Sequence, residues 1–113
     1  MATITSAQTG NASATTTWVG GIVPVEGDQV IIASGHTVTL DGTFIWGNDS
    51  VTETTAGAAI LVNGILKASR SVSFSLTCKG LLYLNPANGG TLDFGKPVSQ
   101  EAINRSIKYF LKE

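Results

Sequence analysis

Short apolar runs alternate with polar residues along most of this chain, and glycines separate them. Val30 and Ile32, Val38 and Leu40, Phe44 and Trp46, Ile60 and Val62, Leu66 and Ala68, Leu76 and Cys78, Leu82 and Leu84, and Leu92 and Phe94 each occupy every second position. A period of two belongs to a β-strand with one face on a core. The pattern predicts strands near Thr3 to Thr5, over 29–33 and over 36–40, and in the segments that follow residue 57. Gly20-Gly21, Pro24 and Gly27-Asp28 punctuate the early part, and 47–57 forms a polar loop.

The segment "AAILVNGILKAS", Ala58 to Ser69, admits two connections. Asn63-Gly64 between alternating runs is a strong hairpin signal, yet it also suits a corner where one strand bends into the next. A repeat favours the corner. Moved on by sixteen residues, Ile60, Val62, Gly64, Leu66 and Ala68 meet Leu76, Cys78, Gly80, Leu82 and Leu84. Another step of sixteen takes Leu76 and Cys78 to Leu92 and Phe94, and a step back from Ile60 and Val62 reaches Phe44 and Trp46. Stacked coils keep such a register, with like positions about 4.8 Å apart. The fold expected is all-β: a small right-handed parallel β-helix, with a hairpin-built β-sandwich as the alternative.

After residue 96 the pattern changes, which divides the chain into a β-rich part, 1–96, and a tail, 97–113. Ser99 suits an N-cap, and Glu101 suits the positive end of a helix dipole. Ile103, Ile107, Phe110 and Leu111 fall with Ala102 on one face at helical spacing. A helix of roughly fourteen residues is marginal alone, so this stripe is expected to dock. It would either cap the open end of its own β-domain or contact a neighbouring subunit.

Composition agrees with a β-protein. Fourteen Thr and 13 Gly stand beside a charged fraction of only 13%, so the polar surface must come from Thr, Ser, Asn and Gly. At 113 residues the chain is one β-domain with a modest core of its own. The net charge of −1 conceals an asymmetry. Residues 1–66 hold Glu26, Asp28, Asp41, Asp49 and Glu53 with no base, a charge of −5. Residues 67–113 hold seven bases against Asp93, Glu101 and Glu113, a charge of +4. This is either the ordinary consequence of acidic loops and a basic tail, or a polar molecule suited to head-to-tail packing or to seating on an acidic partner. Seven scattered bases with few aromatic neighbours do not make a nucleic-acid surface.

Candidate chemistry is sparse. Cys78 is the single cysteine, fits a small buried apolar position, and leaves no disulfide or cysteine metal cluster to form. His36 is the one histidine, placed at a corner in "SGHTVTL", where a hydrogen-bonding role is expected rather than catalysis or metal ligation. The acids show no general acid/base pairing, and "GNDSVTET" lacks the spacing of a calcium loop. No catalytic, metal or cofactor site is expected. Trp46, Phe44 and Phe94 take inward positions, Trp18 is expected to plug the first coil, and Tyr83 should face outward. No signal peptide or membrane-spanning run is expected.

Trp18 with Gly20-Gly21, Pro24, Gly27-Asp28, the Val30–Ile32 strand, Gly35, Val38–Leu40 with Asp41-Gly42, and Gly64 together resemble the eight-glycine domain family. The likeness is to its versions at the N-termini of large β-helical proteins of bacteria and their phages, and spans about residues 15–95. Here, unlike in those relatives, the expected helix follows Gly95 in place of further β-helical sequence. The resemblance implies a non-enzymatic structural protein of a bacteriophage particle, a capsid decoration (cement) protein or a small tail or spike component. It would be made in the host cytoplasm and reside in the virion, associating with itself, as a trimer by analogy with its class, and with other virion proteins. Candidate contact residues are Ile103, Ile107, Phe110, Leu111 and Tyr83. The alternative is a carbohydrate-binding or adhesive module of a bacterial surface protein, with glycan as its ligand. An enzyme is the remote third.

Overall fold

In the computed structural model of the chain, residues 3–48, 57–69 and 74–93 are described, together with the backbones of the strands Pro97–Val98 and Tyr109–Phe110. Among the described residues strand is the main regular structure, and the chain visits three sheets in a fixed order, the first pass entering only the first two. The first pass supplies β1 (Thr3–Thr5) and β2 (Gly10–Asn11). The second supplies β3 (Gln29–Ile32), β4 (Thr37–Leu40) and β5 (Thr43–Gly47). The third supplies β6 (Ile60–Val62), β7 (Ile65–Ala68) and β8 (Ser75–Lys79). The last supplies β9 (Leu82–Leu84) and β10 (Thr91–Asp93), followed by β11 (Pro97–Val98) and β12 (Tyr109–Phe110).

The first sheet has the order β1-β3-β6-β9 and is wholly parallel. The second places β2, β4, β7 and β10 in parallel and ends with antiparallel β11. The third pairs β5 with β8 in parallel and ends with antiparallel β12. Sequence alternation explains why these segments lie flat on a core. In β3 and β4, buried Val30, Ile32, Val38 and Leu40 alternate with half-exposed neighbours, and β8 buries Leu76 and Cys78 in the same way. Inward residues of all three sheets meet in one cluster, which Ala12, Trp18 and Phe74 join from outside the strands.

Asn63-Gly64 is a corner. It links β6 and β7, which lie in different sheets and do not pair with each other. Gly80 likewise lies between β8 and β9 of different sheets. The reason for glycine at 64 is close approach: a β-carbon there would collide with the backbone oxygens of Ala33 and His36. At Gly47 the backbone takes φ +95°, and a β-carbon would also strike the Lys79 carbonyl. Stacked corners are tied by side chains too, since Asn85 Nδ2 donates to Asn63 Oδ1 at 2.9 Å.

The sixteen-residue register is corrected. Val62 and Cys78 share the core but lie in different sheets, so sixteen residues carry the chain to another face and not to the next stacked position. Ile60 stacks on Leu82, and Leu66 on Leu92. Two steps of sixteen do give the pairing of the third sheet, where Phe44 meets Leu76 and Trp46 meets Cys78. The spacing varies because the corners differ in length: two residues join β6 to β7, while six join β9 to β10.

The helix expected in the tail is corrected where the structure describes it. Tyr109 and Phe110 form a strand on Thr77 and Leu76, and Pro97–Val98 extends the second sheet. Aromatic residues suit strands, and the edge of β8 offers backbone hydrogen bonds that outweigh the weak intrinsic stability of a short helix. The rest of the expected helix, 99–108 and 111–113, lies outside the described residues. Among the described residues, no helix is long and apolar enough to cross a membrane.

Candidate functional site

Glu26, Asp28, His36 and Asp41 lie between the named strands, and three of them, Glu26, His36 and Asp41, fasten one pass to another. His36 lies between β3 and β4, where its Nδ1 shares a 2.9 Å hydrogen bond with Ser6 Oγ. That hydroxyl also accepts from the Ala33 N–H at 2.8 Å. A serine against a histidine is the geometry of an activated nucleophile, but Ser6 is only 3% exposed. With Ser6 buried in this way, the pair ties the first pass to the second.

The acids behave alike. Asp41 accepts from the Ser13 N–H at 3.1 Å and from its hydroxyl at 2.6 Å. Asp28 Oδ2 accepts from the Val25 N–H at 3.1 Å and so closes a turn. Glu26 pairs with Lys79 at 2.6 Å across 53 residues of sequence. This bond links the loop before β3 to the end of β8. Both partners are partly exposed, so the pair adds at most about 1 kcal/mol. Thr9 Oγ1 accepts from the Thr37 N–H at 3.0 Å, and Gln29 Nε2 donates to the Ala58 carbonyl at 2.9 Å. Among the described residues, no group of three or more His, Cys, Asp and Glu side chains is placed to hold a metal ion.

Three successive corners form a shallow groove of about 190 Å³, where His36 and Thr37 meet Asn63, Ile65 and Asn88. Its polar groups come from stacked turns. Tyr83 is half-buried on β9, between buried Leu82 and Leu84, and so faces outward as its phase in the sequence predicts. Of the other expected contact residues, Phe110 belongs to β12, while Ile103, Ile107 and Leu111 lie outside the described residues. No two of these five are brought together in the described part.

Trp18 and Trp46 are buried with ring centroids 5.6 Å apart, edge to face at 83°. Trp18 thus closes the core as expected, and Phe44 packs beside Trp46 with centroids 5.3 Å apart. Cys78 is buried, as its alternation indicates.

Two features escape the sequence reading. Ser6 lies in a Thr/Ser-rich stretch where nothing distinguishes it from its neighbours. The loop between Trp18 and β3 leaves Val19, Ile22 and Val25 exposed, and Ile45 is exposed on β5. The density of apolar residues in "WVGGIVPVEG" is the signal that could have pointed to that surface. Comparison with protein-family models, with curated proteins and with solved structures finds no match to this chain.

Proposed function

We propose that this chain is a non-enzymatic structural module that works through contacts with other copies and with other proteins of a larger particle. One observation carries the reading: His36, Glu26, Asp28 and Asp41 are engaged as ties between passes or in a turn, while large apolar side chains stand exposed. In this reading the three sheets are the walls of a short parallel β-helix. Its turn is right-handed, because parallel strands are almost always connected with that hand.

The resemblance to eight-glycine domains makes the particle a bacteriophage virion and the role a capsid decoration or small tail or spike part. A trimer is the expectation from that class. Outward Tyr83 supports a second reading, a glycan-binding surface module, for which Tyr83→Ala would weaken binding to immobilised glycans. The first reading is tested by light scattering of the purified chain over a range of concentration. A mass above the 11.7 kDa of one chain is expected. A strict monomer would overturn the reading.

A further inference from the structure

We propose that the third sheet continues from one copy of this chain into the next, the free edge of β5 receiving the β12 end of a second copy. This deepens the structural reading above and rests on it.

The first two sheets each begin one strand earlier than the third, with β1 and β2, so β5 is left as an end strand. Among the described residues, only Glu26 extends its sheet, through a single bridge to Gly47. The hydrogen-bond phase of β5 shows what its edge offers. The Gly47 N–H donates outward to the Asp28 carbonyl at 3.0 Å, and its carbonyl accepts from the Gly27 N–H at 2.7 Å. Gly42, on the other phase, accepts from the Ser75 N–H of the β8 side at 3.0 Å. Alternate residues of a parallel strand serve opposite neighbours, so Thr43 and Ile45 direct their N–H and carbonyl groups outward. None of these four groups has a partner among the described residues. An open edge of this kind accepts an added strand.

Apolar surface accompanies the edge. Ile45 is 40% exposed on β5, and the loop tied to the end of β5 at Gly27 exposes Val19, Ile22 and Val25 at 58, 61 and 61%. Charge selects the occupant. Asp28 is bound through its backbone to Gly47, and Asp41 stands two residues before β5, while Asp49 follows two residues after it. Two β5 edges would therefore bring acids together. β12 is the opposite end strand of the same sheet, and the sequence flanks it with Lys108 and Lys112. A β12-to-β5 contact matches edge to edge and base to acid. Such a contact is heterologous, so it propagates along the stack unless rotation closes it into a ring.

Sedimentation equilibrium of the full chain tests this, with the wild type, Ile45→Lys and the double variant Lys108→Glu/Lys112→Glu, each at low salt and at 0.5 M NaCl. Circular dichroism would verify that each variant keeps its fold, and the tail variant leaves β5 untouched. The wild-type mass should rise with concentration and fall in salt, as exposed charges are screened. Each variant should weaken association at least tenfold. Association equal to wild type in both variants would overturn the edge assignment and leave the structural reading standing. A closed dimer strengthened by salt would likewise overturn it, whereas a wild-type chain that is monomeric throughout would overturn both.

Discussion

Replacing Gly64 with alanine should lower the stability of the fold by roughly 3 kcal/mol, the scale of a badly overpacked core site. The added methyl meets backbone, and backbone here is fixed. The His36 carbonyl that it strikes accepts from the Ile65 N–H at 2.9 Å, and the Ala33 carbonyl accepts from the His36 N–H at 3.1 Å. Moving either away would break the corner that the previous pass lends to this one. Gly35 provides the control: it sits at φ +84° with nothing within 4 Å of a β-carbon. Gly35→Ala should therefore cost only the left-handed backbone term, about 1–2 kcal/mol. Urea denaturation of the two variants should separate them. Equal midpoints would mean that the corners do not stack as closely as described.

Trp18→Ala should cost about 3–5 kcal/mol, as for other buried tryptophans. It removes the edge-to-face partner of Trp46 and the anchor of the loop that carries Val19, Ile22 and Val25. Substitution by phenylalanine separates the polar contribution from the apolar one. The Trp18 indole N–H donates to the Ala12 carbonyl at 2.9 Å in a buried setting. Trp18→Phe leaves that carbonyl unpaired, at a cost of about 1–3 kcal/mol beyond the lost volume. The Trp46 indole N–H is buried with no hydrogen-bond partner among the described residues. Trp46→Phe removes an unsatisfied donor, so it should be the milder change by about 1 kcal/mol or more. Urea midpoints of the two variants check the order.

Local features of this fold were legible in the sequence because they depend on local rules. Alternation at Val38 and Leu40, or at Leu76 and Cys78, follows from the two-residue period of a strand. The corner at Gly64 was marked by a residue that only a close approach requires. Inter-strand register was not legible, because it depends on how many residues each corner consumes. The sixteen-residue similarity between Ile60 and Leu76 is a similarity of two walls of one pass. The tail misled for a different reason. Its 3.6-residue apolar stripe is compatible with a helix, but the edge of β8 offers Tyr109 and Phe110 a better set of backbone partners. The Ser6–His36 tie was invisible because 30 residues separate its members. Exposed Ile22 and Val25 also defeat pattern reading, since apolar residues in a loop look like core until the loop is seen to lie outside it.

A single cross-linking measurement tests the stacking of successive passes. Thr39 and Lys67 are register partners in β4 and β7, and both alternate with buried residues, so their side chains lie on the outer face. Neighbouring strands stand about 4.8 Å apart, within the span that a disulfide bridges. In the Thr39→Cys/Lys67→Cys variant, mild oxidation followed by peptide mass mapping should find the two new cysteines joined to each other, with buried Cys78 left reduced. Thiols that stay free at 39 and 67 under those conditions would contradict the stack.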